Sequence, residues 1–365
     1  MSPAESTAIK VCRVLCIFFM TYVHVNPGLD SFAGALPEPL RLAEWWLSDL
    51  LGRASVPALS VLGGYLAVAA YMRRAAWWRY VRERGVVLMV PMISWNLLII
   101  LLSLLIWWGV GAQTVVLRDM PAPEWASLAV LVDRVTGYDY GAATTALNFL
   151  RDLFVCSLVL PVLLLLMRRA GAFGLTLLWL GGLTLGFDPL IMRPHILMFF
   201  AVGVYVALHG RLFWPSRVVF WRLLIALSGS MALVAWVPPL AQHYAENLAG
   251  TTLRLVVAAL FLLSAYALGH WRAGRWLARL EPLIYLLFLA HGCIMLLFWG
   301  VWQQLFGAGV DGPYLFFYLA APPLTLLVVL VLQRILQLLP RPLQRMLSGK
   351  TIDVPVWRGR GLSRA

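Results

Sequence analysis

Apolar runs long enough to cross a bilayer recur along this chain, and they constrain its fold more than any other feature. A hydrocarbon core of roughly 30 Å needs about 20 apolar residues in a helix. Candidate runs stand near residues 9–27, 50–71, 86–109, 146–167, 171–187, 194–209, 219–240, 252–270, 281–300 and 314–338. Within lipid a spanning segment must satisfy its own backbone polar groups, so the expectation is an all-α, polytopic integral membrane protein of about ten transmembrane helices. The run near 171–187 is short and Gly-rich, which leaves a re-entrant segment open at that point. Composition agrees. Of 365 residues, 62% are hydrophobic and 12% charged, with a mean hydropathy of +0.83, which is too little polar surface to cover a water-soluble core of this size.

The net charge of +13 raises nucleic acid as a partner, and the placement of the basic residues argues against it. Ten spans put 22 of the 29 Lys and Arg on the side of the N-terminus and 12 of the 16 Asp and Glu on the other. Basic residues concentrate on the cytoplasmic side, so both termini are expected there, in a bacterial cytoplasmic (inner) membrane, with membrane lipids as surroundings and no nucleic acid as partner. Lys10 followed by the run Val14–Val23 imitates a secretory signal, but Arg13 interrupts the apolar region, and the segment is expected to stay in the protein. Residues 1–340 read as one membrane domain and 341–365 as a basic, Pro-punctuated cytoplasmic tail, surface-lying or partly disordered. Cys12, Cys16, Cys156 and Cys293 all fall in apolar stretches, without His partners at metal-ligand spacing. They read as buried core residues, and no metal is expected.

The first apolar run carries the most suggestive polar residues. Arg13 and His24 are eleven positions apart, which on a continuous helix is about three turns. Both side chains then share one face, with their Cα atoms about 16 Å apart. Ionisable groups inside a span are costly and point to a cavity or a pathway. The alternative is that Arg13 snorkels to the inner headgroups while His24 is an interfacial residue at the outer end.

An Arg-(ten residues)-His pattern on the first helix resembles the membrane-bound acyltransferase-3 family. Further stretches agree, in order, over residues 9–340. Arg53-Ala-Ser55-Val-Pro57-Ala-Leu-Ser60-Val-Leu-Gly63-Gly64-Tyr65 resembles the family's second-helix segment. Trp78-Arg79 through Arg84, followed by Pro91, resembles its basic cytoplasmic loop, and Asn148-Phe-Leu-Arg151-Asp152 its fourth-helix entry. Arg193-Pro194-His195 and Phe288-Leu-Ala-His291 resemble the glucan-succinylating and exopolysaccharide-acetylating branches. Two positions depart from the pattern: Gly63 stands where many members carry serine, and Glu281-Pro282 where Ser-Phe is frequent.

The resemblance implies an O-acyltransferase that moves an acyl group, acetyl by family expectation with succinyl open, from cytoplasmic acyl-CoA to a sugar hydroxyl. That sugar belongs to a lipid-linked or periplasmic glycan of a bacterial surface polysaccharide or exopolysaccharide. In this reading Arg79, Arg82 and Arg84 grip the phosphates of CoA, since guanidinium groups bind them bidentately. His24 is the general base for the attacking hydroxyl, Arg13 the catalytic-site cation towards the donor's side, and His291 a second catalytic candidate. Asp30, Arg151, Asp152, Arg193 and His195 are candidates for the acceptor's side, and Asp30 or Asp152 could be the carboxylate partner of His24. Direct transfer and an acyl-histidine intermediate both stay open. Ser55, Ser60 and Asn148 read as interhelical hydrogen bonders before oxyanion donors, and Gly63-Gly64 as a close-packing point. The rival from another class is a secondary transporter or flippase for a lipid-linked saccharide, although related halves are not evident in the sequence. Oligomeric state is not legible.

Overall fold

Helices supply all the regular structure among the described residues of the computed structural model, which are 2–25, 37–74, 76–110, 128–138, 142–184, 191, 193–210, 221–222, 225, 248–307, 309 and 312–351. In chain order they are α1 (Pro3–Tyr22), α2 (Glu38–Glu44), α3 (Arg53–Met72), α4 (Trp77–Val110), α5 (Leu128–Thr136), α6 (Asn148–Leu158) and α7 (Leu160–Thr184). Then follow α8 (Pro194–His209), α9 (Leu248–Gly269), α10 (Arg272–Ala278), α11 (Glu281–Phe306), α12 (Gly312–Leu338) and α13 (Arg341–Ser348). Several starts follow from the missing N–H of proline, which costs nothing in a first turn: Pro194, Pro282 and Pro342 stand there in α8, α11 and α13.

The chain is a multi-pass membrane protein. Among the described residues, five continuous helical stretches are long and apolar enough to cross a bilayer, namely Glu38–Met72, Trp77–Leu105, Leu160–Thr184, Glu281–Phe306 and Gly312–Leu338. A sixth results if Leu253–Gly269 and Arg272–Ala278, bent by 111°, form one broken span. Pro194–His209 is apolar but shorter. Leu97, Leu101 and Leu105 keep one stripe of α4 exposed at four-residue spacing, as a lipid-facing surface requires. The expected runs at 146–167 and 171–187 are divided differently: α6 ends at Leu158, and α7 carries both remaining parts across a break at Gly171, where φ is +53°. The expected run at 219–240 lies almost wholly outside the described residues.

Two compact units divide the chain. The first comprises Met1–Met20, Trp46–Arg84 and Asp152–Ala278. At its centre α3 packs against both α8 and α9, and α7 covers α8. The α3–α8 crossing is backbone against backbone. A Cβ on Gly64 would lie 2.0 Å from the Phe200 carbonyl oxygen, and one on Gly203 would lie 2.0 Å from that of Val61. Only two glycines facing each other permit that approach, which is the usual way membrane helices gain contact without a hydrophobic driving force. Ser55 and Ser60, fully buried on α3, donate to the carbonyls of Leu51 (2.7 Å) and Val56 (2.8 Å) one turn back, so their hydroxyls serve the helix's own backbone. Cys12, Cys16 and Cys156 are buried thiols of this unit.

The second unit comprises Thr21–Trp45, Gly85–Arg151 and Arg279–Ala365. Here α11 packs against α12 and α13. The tail, expected to lie loosely at the surface, forms helix α13 over residues 341–348, with Gln344 and Ser348 buried. Trp95 of α4 fixes it by donating its indole N–H to the Leu347 carbonyl at 2.9 Å. Residues 352–365 lie outside the described part.

A polar framework holds the segment that leads into α6. Asn96, fully buried on α4, uses both ends of its amide: Nδ2 donates to the Val135 carbonyl (2.9 Å) and Oδ1 accepts from the Thr144 N–H (3.2 Å). Asn148 Oδ1 accepts from the Ala142 N–H at 2.9 Å. Gly137 has φ +68°, and a Cβ there would sit 2.5 Å from Asn148 Oδ1, so a side chain is excluded by both conformation and space. Buried polar groups in a membrane interior must find such partners, and this segment finds them in side chains.

Candidate active site

The second unit brings two of the sequence-identified histidines together. His291 is the eleventh residue of α11, about 15 Å along the helix from Glu281, and is fully buried. Its Nδ1 lies 2.8 Å from the Phe288 carbonyl oxygen and 3.2 Å from that of Leu287. A carbonyl only accepts, so Nδ1 carries the proton, and in the neutral ring Nε2 holds the lone pair. That Nε2 is buried and meets no hydrogen-bond partner among the described residues. The ring of His24 stands beside it, with centroids 5.1 Å apart and planes inclined by 56°.

His24 is not on the first helix. α1 ends at Tyr22, and the chain tightens into a turn in which the His24 N–H reaches the Thr21 carbonyl (3.1 Å) and the Val25 N–H that of Tyr22 (3.4 Å). Three-residue hydrogen bonds replace the four-residue ladder, so His24 stands in the turn that follows α1. Two residues earlier, the Tyr22 ring lies 5.6 Å from that of Tyr318, and its hydroxyl donates to the Leu319 carbonyl at 3.3 Å. This aromatic contact anchors the turn to α12.

The other walls come from residues that the sequence reading did not single out. Phe149 meets Phe288 edge to face at 5.9 Å, and Phe288 lies 6.0 Å from the His291 ring. Thr144 covers the residue after His291, since a Cβ on Gly292 would meet its methyl at 2.7 Å. The Thr144 hydroxyl, like His291 Nε2, is buried without a hydrogen-bond partner among the described residues, a condition that costs about 1–3 kcal/mol for each such atom.

The remaining candidates are distributed over both units. Arg151 is buried in the second unit, where its NH1 donates to the carbonyls of Gly137 and Tyr138, clamping the segment before α6. Arg13 is half-buried on α1, and Asp152 is fully buried; both belong to the first unit. Arg193 and His195 stand at the start of α8, half-buried, also in the first unit. Asp30 lies outside the described residues. At the junction of α3 and α4, Arg74 Nε bonds Glu83 at 2.8 Å and Arg84 lies over the Tyr80 ring at 5.3 Å, while Arg79 and Arg82 are exposed.

A pair of imidazoles in an apolar setting, one with a tautomer fixed by the backbone, can accept and return a proton during acyl transfer. Similarity to known proteins points to acyl transfer. The chain is 25% identical over 362 residues to the succinoglycan biosynthesis protein ExoH of Rhizobium meliloti (strain 1021), covering 96% of this chain and 93% of that protein. No solved structure gives a significant match. A family model described as "Acyltransferase domain" matches residues 6–334, nearly the whole sequence, and the chain therefore belongs to the acyltransferase-3 family.

Proposed function

We propose that this protein is a membrane O-acyltransferase that moves an acyl group from cytoplasmic acyl-CoA to a hydroxyl of a bacterial surface polysaccharide or exopolysaccharide sugar. Family membership and the similarity to a succinoglycan biosynthesis protein support a polysaccharide acceptor. The observation that carries the chemistry is the His24–His291 pair, in which the buried His291 Nε2 has no hydrogen-bond partner among the described residues.

In this reading His24 takes the proton from the sugar hydroxyl as its oxygen attacks the thioester carbonyl. The C–S bond then breaks, and CoA leaves as the thiolate or, on return of that proton, as the thiol. His291 shares the proton's path or orients the first imidazole. Arg79, Arg82 and Arg84 hold the phosphates of CoA on the cytoplasmic side, with Arg13 as a helper. Acetyl is the expected acyl group and succinyl the alternative.

The test uses purified protein in liposomes, with labelled acetyl-CoA or succinyl-CoA and oligosaccharides from the producing bacterium. Labelled glycan and free CoA in equal amounts are expected, with one donor preferred. Movement of a lipid-linked saccharide across the bilayer with no label transferred from either donor would overturn the proposal.

A further inference from the structure

Helix α13 is seated with its polarity reversed. Its buried residues are Gln344 and Ser348, four positions apart. Gln344 Nε2 donates to the carbonyls of Leu339 (2.9 Å) and Gln337 (3.4 Å) around the end of α12. Ser348 Oγ lies 2.7 Å from the carbonyl oxygens of Gln344 and Lys350. The apolar residues face outward instead: Leu343 is 41% and Met346 43% exposed. A helix that meets water on one side and protein on the other carries its apolar residues towards the protein. The outward face of α13 is therefore fitted to an apolar medium.

The neighbours of α13 give its depth. The Trp95 indole N–H reaches the Leu347 carbonyl at 2.9 Å. A Cβ on Gly349, where φ is +69°, would lie 3.0 Å from the Val87 carbonyl oxygen and 3.0 Å from Cε1 of Tyr285. Val87 is three positions past Arg84, where α4 turns from basic to apolar, and Tyr285 is the fifth residue of α11. The start of the apolar part of α4, the start of α11 and the end of α12 thus meet at α13. That is the level at which headgroups give way to hydrocarbon.

Arg341 and Arg345, also four positions apart, form one edge of the outward face, and both are exposed. Among the described residues neither has a carboxylate within ion-pair distance. Guanidinium groups at this level grip headgroup phosphates while the apolar side chains beside them enter the acyl region. We infer that α13 is an interfacial helix that docks on anionic phospholipid, with Arg341 and Arg345 on the phosphates and Leu343 and Met346 among the acyl chains. Charge complementarity selects acidic lipid, because the choline of a zwitterionic headgroup cancels the attraction of its phosphate. Docking requires neither donor nor acceptor.

Full-length protein with Met346→Cys is labelled there with bimane, the four native cysteines being buried. It is reconstituted in phosphatidylcholine vesicles with a minor fraction of phosphatidylglycerol. Two matched preparations carry a doxyl group on the acyl chains of either the phosphatidylglycerol or an equal mole fraction of the phosphatidylcholine. The label should be quenched by doxyl lipid and shielded from a water-soluble nitroxide present on both sides of the membrane. Doxyl-phosphatidylglycerol should quench about threefold more strongly than doxyl-phosphatidylcholine. Arg341→Gln with Arg345→Gln should abolish that preference, and Arg341→Lys with Arg345→Lys should restore most of it. Circular dichroism and a monodisperse elution profile check that each variant is folded. Quenching by the aqueous nitroxide alone would show that the face meets water, and quenching by neither would show that protein, such as a second copy of this chain, covers it. Either result would overturn the docking. So would equal quenching by the two doxyl lipids, or a preference that survives the double Gln variant.

Discussion

His24 and His291 meet ring to ring at 5.1 Å, although 267 positions separate them in the sequence. Their meeting depends on α1 stopping at Tyr22, on the Tyr22–Tyr318 contact that anchors the following turn, and on backbone carbonyls that hold His291 in one tautomer. If His291 orients or relays for His24, its replacement should affect turnover and leave donor binding alone. His291→Ala is expected to lower kcat about 10²-fold with KM for acyl-CoA within twofold, in the range general acid–base groups contribute. His291→Gln, which keeps a polar group at the site, should retain more activity than Ala. Steady-state kinetics on detergent-purified protein checks both.

The donor site should separate arginines by their present partners. Arg82→Gln and Arg84→Gln are expected to raise KM for acyl-CoA about tenfold each, since a charge-assisted phosphate contact is worth about 1.5–3 kcal/mol. Arg74→Gln breaks the exposed pair with Glu83, worth at most about 1 kcal/mol, and a hydrogen bond to the Ala70 carbonyl, and should leave KM unchanged. A common effect of all three would mean that the charge of the junction matters and not a particular contact.

The α3–α8 crossing makes a prediction about stability. Gly64→Ala places a methyl against the Phe200 carbonyl and should destabilise by about 1–3 kcal/mol as an overpacked contact. Gly181→Ala adds its methyl to open space in α7 and should be neutral or stabilising by about 0.5–1 kcal/mol through helix propensity. Thermal unfolding of the two variants in the same detergent distinguishes them.

Arg151 offers a test of the segment before α6. Its buried guanidinium holds the carbonyls of Gly137 and Tyr138, so Arg151→Met should free that segment while leaving α6 formed. Faster amide hydrogen exchange is expected at residues 137–144, with little change in α11. Unchanged exchange throughout would show that the Asn96 and Asn148 contacts hold the segment unaided.

Much of this was legible in the sequence, and the physical reasons for the rest are specific. Membrane residence, the all-helical fold and the glycine crossing on α3 follow from apolar run length and small-residue spacing. The family was legible because its motifs occur in order. The end of α1 was not, because Val23 continues the apolar pattern while the backbone already turns. The reading of His24 as a residue of the first helix failed for that reason. Arg151 reads from the sequence as a substrate-binding cation, and the structure adds that its NH1 holds the carbonyls of Gly137 and Tyr138, a contact that no sequence pattern announces. Thr144 carried no signal, because a lone threonine in a loop acquires meaning only from the helix it covers. Asn96 did carry one: a fully buried amide in the middle of an apolar run is expensive and must be holding something.

The account stands most directly on the transfer assay with His24 replaced. Protein carrying His24→Ala, reconstituted with labelled acyl-CoA and its glycan acceptor, should bind the donor with wild-type affinity and transfer label at least 10²-fold more slowly, the contribution expected of a lost general base. Wild-type transfer by His24→Ala would contradict the assignment of this histidine pair as the catalytic centre.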